Sequence, residues 1–330
     1  MNILDRYIDY LCNVRRYSAR TVSIYKDVLE RYVAYACDGD VTVDAVIVSA
    51  MNRSQIRSYV AGLMDAPLNM SSRTVSLHMS ALSGFCRYLV KEGHLSSNPV
   101  RLVVKPRQDK NVPVFFRDEA MTGYFESTSC LFDRDAADAF VQSPDSRSGA
   151  AYYRDLLDAL IIRTLYSLGI RRSELSGLCI GDVDFARNVV KVRGKGDKMR
   201  EIPLLMTLSE EILLYLKAVE AMCGGERSLK EPLFVTYAGS RLYPEYVNRA
   251  VRRQLEGRKG FTGRKSPHVL RHSLATGLLE KDADLNSIKE LLGHSSLAAT
   301  QVYTHSSIAR LKTIYEQAHP RAKNGGKNGD

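Results

Sequence analysis

The 330-residue sequence contains no apolar run near the ~20 residues that a membrane-spanning helix needs. Its start, Met1-Asn2-Ile3-Leu4-Asp5, lacks the basic and apolar regions of a secretory leader, so a cytoplasmic compartment is expected. The six cysteines (Cys12, Cys37, Cys86, Cys130, Cys179, Cys223) include no C-x-x-C pair that could begin a metal chelate. They are expected to be reduced and structural, without a disulfide framework. No metal and no cofactor is expected. There is no internal repeat, which excludes solenoids and propellers.

What is present is an ordinary globular composition, 45% hydrophobic and 25% charged, in a chain long enough for two domains. The net charge is +10 and unevenly placed. Residues 1–110 carry 15 basic against 10 acidic side chains, residues 111–150 carry 3 against 7, and residues 151–330 carry 29 against 20. Two basic regions flanking an acidic segment point to a polyanionic partner, since Lys and Arg on phosphates release counterions.

The first hundred residues read as helices. Leu4, Tyr7, Ile8, Leu11 and Val14 fall on one helical face, and Ser18 is placed to cap a second helix burying Val22, Tyr25, Leu29, Tyr32 and Val33. A third helix is expected over Arg53–Met64. A fourth begins near Ser72, buries Val75, Met79, Leu82, Phe85 and Leu89, and stops at Gly93. Arg15, Arg16, Arg20, Lys26, Arg53, Arg57, Arg73 and Arg87 fall on the outward faces. Asn98-Pro99, Lys105-Pro106 and Val112-Pro113 then punctuate a stretch without helical period, so a boundary is placed between domains 1–105 and 106–330.

Downstream, Tyr152–Leu168 reads as a strongly apolar helix ended by Gly169, with another helix from Ser173. Asn188–Arg193 and Arg200–Leu204 read as a β-hairpin around Gly194-Lys195-Gly196-Asp197, and Leu233–Thr236 as a third strand. The remainder reads as helical through Tyr315, and 127–149 as a surface insertion. The expected class is mainly α with a small antiparallel β-sheet: an N-terminal helical bundle followed by an α+β domain.

Three patches of the second domain suit one reaction. Gly169-Ile170-Arg171-Arg172-Ser173-Glu174-Leu175 puts an Arg between two helices. Pro267-His268-Val269-Leu270-Arg271-His272 puts His268 and Arg271 three residues apart, on one face. Leu292-Gly293-His294 is followed by Gln301-Val302-Tyr303-Thr304-His305. Cleaving a phosphodiester without a metal requires positive charge around the non-bridging oxygens, and guanidinium forks supply it. It also requires a nucleophile that can hold the broken bond covalently, which a Tyr oxygen can do. The free Tyr, with a pKa of ~10, needs a base or a strongly positive site. The departing 5′ oxygen needs a proton, which a Lys on a hairpin can deliver. Each of these residues alone has an ordinary structural role; their joint presence and order is the signal.

These residues resemble the tyrosine recombinase family, and within it the Xer-type recombinases that act on chromosome dimer resolution sites. Arg171 in G-I-R-R-S-E-L matches the first catalytic Arg of that family, and Lys195 in R-G-K-G-D-K-M-R its hairpin Lys. His268 and Arg271 in H-V-L-R-H match its H-x-x-R box. His294 in L-L-G-H matches its later His position, and Tyr303 in Q-V-Y-T-H its nucleophile. Arg172 beside Arg171, and Lys198 and Arg200 beside Lys195, compete for two of these places. The helical N-terminal region resembles the family's core-binding domain, so the likeness spans nearly the whole chain.

The resemblance implies attack by Tyr303 on the scissile phosphate, a 3′-phosphotyrosyl link, a free 5′-hydroxyl and a Holliday junction intermediate. It implies double-stranded recombination sites clasped by the two domains, and a homo- or hetero-tetramer joined through a C-terminal helix at 307–317. A paralogous recombinase and a DNA translocase are further partners to expect. Glu174 and His272 are candidates for orienting the catalytic groups. Candidate DNA contacts are Arg15, Arg16, Arg20, Arg73, Lys198, Arg200, Arg252, Arg253, Arg264 and Lys265. Within the family, a mobile-element integrase or invertase stands as the alternative to a Xer-like enzyme. A type IB topoisomerase-like enzyme and a catalytically inactive DNA-binding regulator are the readings from other classes.

Overall fold

The computed structural model describes residues 1–37, 43–107, 114–194 and 198–293. The chain forms two compact units, Met1–Val112 and Pro113–Asp330.

The first unit is helical: α1 (Ile3–Asp9), α2 (Ala19–Ala36), α3 (Asp44–Ala50), α4 (Arg53–Met64) and α5 (Ser72–Lys91). Their starts are set by side chains that accept otherwise unpaired backbone N–H groups. Asn2 and Asp5 form a capping box, and Ser18, Asn52 and Ser71 each cap the helix that follows. Leu29, Tyr32, Ile56, Val75, Leu82, Phe85 and Leu89 fill the core. The eight arginines and lysines assigned to outward faces are all exposed.

Val14, expected on the buried face, is 65% exposed. A π-helical turn at Tyr10–Val14 follows α1, and its wider winding rotates Val14 away from the core. Tyr25 and Ile8 are only partly buried.

The second unit is built around α8 (Arg147–Leu168), buried on almost every side from Leu156 onward. Ser146 caps it, so that it starts at Arg147, five residues before the expected Tyr152, and Gly169 ends it at φ 58°. Around it lie α6 (Asp118–Ser127), α7 (Arg134–Gln142), α9 (Arg172–Gly177), α10 (Met206–Cys223), α11 (Pro244–Leu255), α12 (Pro267–Glu280) and α13 (Leu285–Leu292).

A three-stranded antiparallel sheet runs in the order β1 (Val183–Asp184), β2 (Val189–Arg193), β3 (Met199–Pro203). The register pairs Val190 with Ile202 and Val192 with Arg200. Leu233–Thr236 is not its third strand. The backbone there is buried and takes tyrosine hydroxyls as partners: Tyr215 accepts from the N–H of Val235 at 3.0 Å, and Tyr153 donates to its carbonyl at 3.0 Å. Only isolated bridges, Cys179 with Pro232 and Val235 with Arg241, remain of the expected strand.

Residues 127–149, expected as a surface insertion, are built into the unit. Phe140 of α7 is buried and its ring lies 5.6 and 5.9 Å from those of Tyr152 and Tyr153. Asp138 of the same helix pairs with Lys217 of α10 at 2.6 Å. Among the cysteines, Cys37 and Cys86 are core residues, whereas Cys12, Cys130 and Cys223 are exposed. No described helix is long and apolar enough to cross a membrane.

Candidate active site

Three helix ends in the second unit bring the predicted arginines together. Gly169 reverses the chain after α8 in the left-handed conformation. A Cβ there would lie 2.8 Å from Cδ2 of both Leu274 and Leu292, so glycine lets α12 and α13 close on the turn. Arg171 then stands as the N-cap residue of α9, and Arg271 lies on the buried side of α12. α13 ends at Gly293, φ 64°.

The three terminal carbonyls of α13 are each met by a different arginine. Arg200 donates from Nε to the carbonyl of Leu291 at 3.2 Å, Arg271 from Nη2 to that of Leu292, and Arg171 from Nη2 to that of Gly293 at 3.1 Å. A helix C-terminus carries unpaired carbonyls and partial negative charge, so cations belong there. Arg271 also donates from Nη1 to the carbonyl of Gly169 at 2.5 Å.

Glu174 organises the cluster from the opposite side. Its carboxylate receives both terminal nitrogens of Arg200 at 3.1 and 2.8 Å. It also receives the guanidinium of Arg171 at 2.7 Å and the backbone N–H of Arg171 at 2.8 Å. Burial alone would push this carboxyl up. The hydrogen bonds from Arg200 and Arg171, together with the charge of Arg200, outweigh burial and hold it down at about 2. The Arg171 side chain remains 40% exposed while that of Glu174 is 3% exposed, so this ion pair is anchored inside and open outside.

Arg271 is lowered to about 10, first by burial and then by the charge of Arg171, and stays protonated at neutral pH. His268 is exposed near the start of α12. Its imidazole is lowered from the ordinary 6.5 by desolvation and by Arg271, His272, Arg264 and Arg171, which favours the neutral ring. A neutral imidazole beside two guanidiniums can accept a proton, and the guanidiniums can bind an oxyanion.

Of the two adjacent arginines, Arg171 is the one bonded to Glu174; Arg172 begins α9 and is partly exposed. His272 is partly buried, with the Phe115 ring edge-on at 6.4 Å. Lys195, His294, Tyr303 and the helix expected at 307–317 lie outside the described residues.

The candidate DNA contacts divide. Arg15, Arg16, Arg20, Arg73, Lys198, Arg252 and Arg264 are exposed. Arg253 pairs with the buried Asp158 at 2.6 Å, and Lys265 with Glu256 at 3.0 Å. Arg200 is not a surface cation: it is 7% exposed, with its guanidinium directed into Glu174 and α13. Strand alternation carried the signal, because Arg200 shares its parity, and therefore its face, with Ile202. The carbonyls of Leu291 to Gly293 had no sequence signal, since any residue supplies a carbonyl. Among the described residues no group of three or more His, Cys, Asp or Glu is arranged to hold a metal ion.

The sequence model described as the phage integrase family matches residues 132–310, and that of the phage integrase N-terminal SAM-like domain matches residues 4–93. The tyrosine recombinase XerC of Chlorobaculum parvum is 33% identical over 327 residues, covering 97% of this chain and 94% of that protein. A XerH site-specific recombinase bound to its difH substrate shares the fold, with TM-score 0.59 and 19% identity, covering 99% of this chain and 85% of that one. A lambda integrase tetramer bound to a Holliday junction gives TM-score 0.58 at 19% identity, covering 90% and 74%.

Proposed function

The chain belongs to the phage integrase family of tyrosine recombinases and is a site-specific DNA recombinase enzyme, and from that premise we propose that Tyr303 forms a covalent 3′-phosphotyrosyl bond within a clamp made by Arg171 and Arg271. The observation that supports this most is the convergence of those two guanidiniums, 100 positions apart in sequence, on the end of α13, from which the chain leads toward Tyr303.

In the proposed step the Tyr303 oxygen attacks the scissile phosphorus and the bond to the 5′ oxygen breaks. The phenolic proton passes to a base, for which the neutral His268 is suited. The 5′ oxygen gains its proton from Lys195. Arg171 and Arg271 hold the non-bridging oxygens as their charge grows, and His294 adds a further donor. A 5′-hydroxyl from a partner strand then attacks the phosphotyrosyl phosphorus and expels Tyr303. Two such exchanges form and resolve a Holliday junction, with neither metal nor nucleotide consumed.

The substrate is double-stranded DNA carrying recombination sites, bound by a multimer. A tetramer linked through 307–317, of one chain or two paralogues, fits this chemistry because four strands must be cut. The XerC likeness over nearly the full chain favours a Xer-like role in chromosome dimer resolution over a mobile-element integrase or invertase. Such a role is cytoplasmic and would couple to a DNA translocase. The exposed Arg15, Arg16, Arg20, Arg73, Lys198, Arg252 and Arg264 are the cations available to phosphates.

A pool of nicked duplexes with randomised cores tests the reading. The nick lets the cut end diffuse away, trapping the intermediate. A denaturant-resistant protein–DNA adduct is expected in EDTA, absent from Tyr303→Phe. An adduct that persists in Tyr303→Phe would move the nucleophile elsewhere.

A further inference from the structure

The start of α9, the base of the β2–β3 hairpin and the end of α13 meet at one guanidinium, that of Arg200. It binds both oxygens of Glu174 and the carbonyl of Leu291. Glu174 in turn holds the guanidinium and the backbone N–H of Arg171. A Cβ placed on Gly293 would lie 3.1 Å from Nη1 of Arg200. One placed on Gly194 would lie 3.5 Å from the same nitrogen and 3.9 Å from Oε1 of Glu174. Gly194 and Gly293 immediately precede Lys195 and His294 in the chain. The Arg200–Glu174 pair therefore bonds Arg171 itself, and Arg200 stands where a side chain at Gly194 or Gly293 would meet it.

We propose that Arg200 is a positioning residue for strand cleavage. It acts through Glu174, whose carboxylate holds the guanidinium and backbone N–H of Arg171, on the aim of Arg171. The inference rests on the reading of Arg171 and Arg271 as the phosphate clamp.

Burial and geometry distinguish this role from DNA contact. Arg200 faces inward on β3 and directs Nε, Nη1 and Nη2 to protein acceptors. Arg171, with a side chain 40% exposed, uses two of its five N–H donors on Glu174 and Gly293. A planar fork is required of Arg200, because it must reach a carboxylate and a helix-end carbonyl at once. A lysine offers one nitrogen and cannot span both.

The test uses the full chain and a nicked duplex captured from the randomised pool, in two forms. One carries the natural scissile phosphate and the other a methylphosphonate, whose lost negative charge lessens the demand for aimed guanidiniums. On the phosphate, Arg200→Met and Arg200→Lys are expected to form adduct slower by on the order of 10²-fold, with DNA affinity near wild type. On the methylphosphonate the deficit is expected to shrink, and that of Arg171→Ala, run alongside, is expected to shrink with it.

The double variant Glu174→Gln, Arg200→Met removes the buried pair together. It is expected to melt closer to wild type than Arg200→Met does while still cleaving slowly, which separates positioning from folding. Wild-type cleavage rates in Arg200→Met, a deficit equal on both substrates, or a loss of DNA affinity that accounts for the slow cleavage would each overturn the proposal. The functional reading fails by a different result, a wild-type adduct that does not depend on Tyr303.

Discussion

The two units bury different chemistry. Among the described residues the first buries no Asp, Glu, Lys or Arg; its one buried ionisable imidazole, His78, meets the Tyr59 hydroxyl at 3.0 Å. The second buries Asp158, Arg163, Glu174, Arg200 and Arg271. A buried charge lowers stability unless it is paired and fully hydrogen-bonded, so an apolar core is the default wherever stability alone matters. The first unit follows that default and keeps its cations outside. The second departs from it, and three of its five buried charges stand at the site. In the proposed function they set a dense positive centre in fixed geometry before any phosphate arrives, as transition-state stabilisation requires.

The largest effect expected from this contrast is on rate. Arg271→Gln keeps a donor but removes one of the two charges of the proposed clamp. Adduct formation should fall by on the order of 10²- to 10³-fold, while DNA affinity changes far less. Single-turnover cleavage beside a binding titration measures both; equal losses in the two would remove Arg271 from the transition state.

The next effect is on stability. Glu174→Gln leaves Arg200 facing a neutral amide, and loss of one partner from a buried pair costs about 3–5 kcal/mol. Its pH dependence has a definite sign. The folded carboxyl is held at about 2, below its ordinary value of 4.5, so its contribution is complete above pH 4.5 and lost as the pH falls toward 2. In the wild type this group should remove on the order of 3 kcal/mol across that window, and the variant should lack that loss. Hydrogen exchange followed peptide by peptide reads each unit separately. A wild-type second unit no more acid-sensitive than Glu174→Gln would break the comparison.

The smallest effect belongs to the first unit. Tyr32 donates to the carbonyl of Ala50 at 2.6 Å within the core, and Tyr32→Phe should cost about 1 kcal/mol. Exchange in α2 and α3 should rise modestly with cleavage unchanged. A cleavage loss in this variant would show that the first unit's core is coupled to the chemistry.

The same contrast explains what the sequence made legible. Helices with one apolar stripe and a capping side chain, such as Ala19–Ala36 and Ser72–Lys91, announce themselves by period and cap. α3 carries no such signal, because its seven residues, nearly all of them apolar or small, show no period. Leu233–Thr236 has the composition of a strand, yet its backbone bonds go to Leu178, Ser240 and the hydroxyls of Tyr153 and Tyr215 rather than to a sheet neighbour. α7 was hidden among Ser and Asp residues because its buried stripe is only Ala137 and Phe140.

At the site, the motif residues Arg171, Glu174, His268 and Arg271 were legible one by one. Their shared anchor was not. Arg200 reads as one more basic residue in Lys198-Met199-Arg200 until strand parity and the fold turn it inward. The carbonyls it and its neighbours bind belong to backbone, on which sequence is silent.

If the arginine pair serves a tyrosine nucleophile, the identity of the linked residue is the most direct measurement of it. The trapped adduct should be digested with nuclease and protease, and the nucleotide-bearing peptide sequenced by mass spectrometry. A single modified peptide carrying a phosphodiester on Tyr303 is expected; a nucleotide on any other side chain would contradict the assignment of Tyr303 as nucleophile.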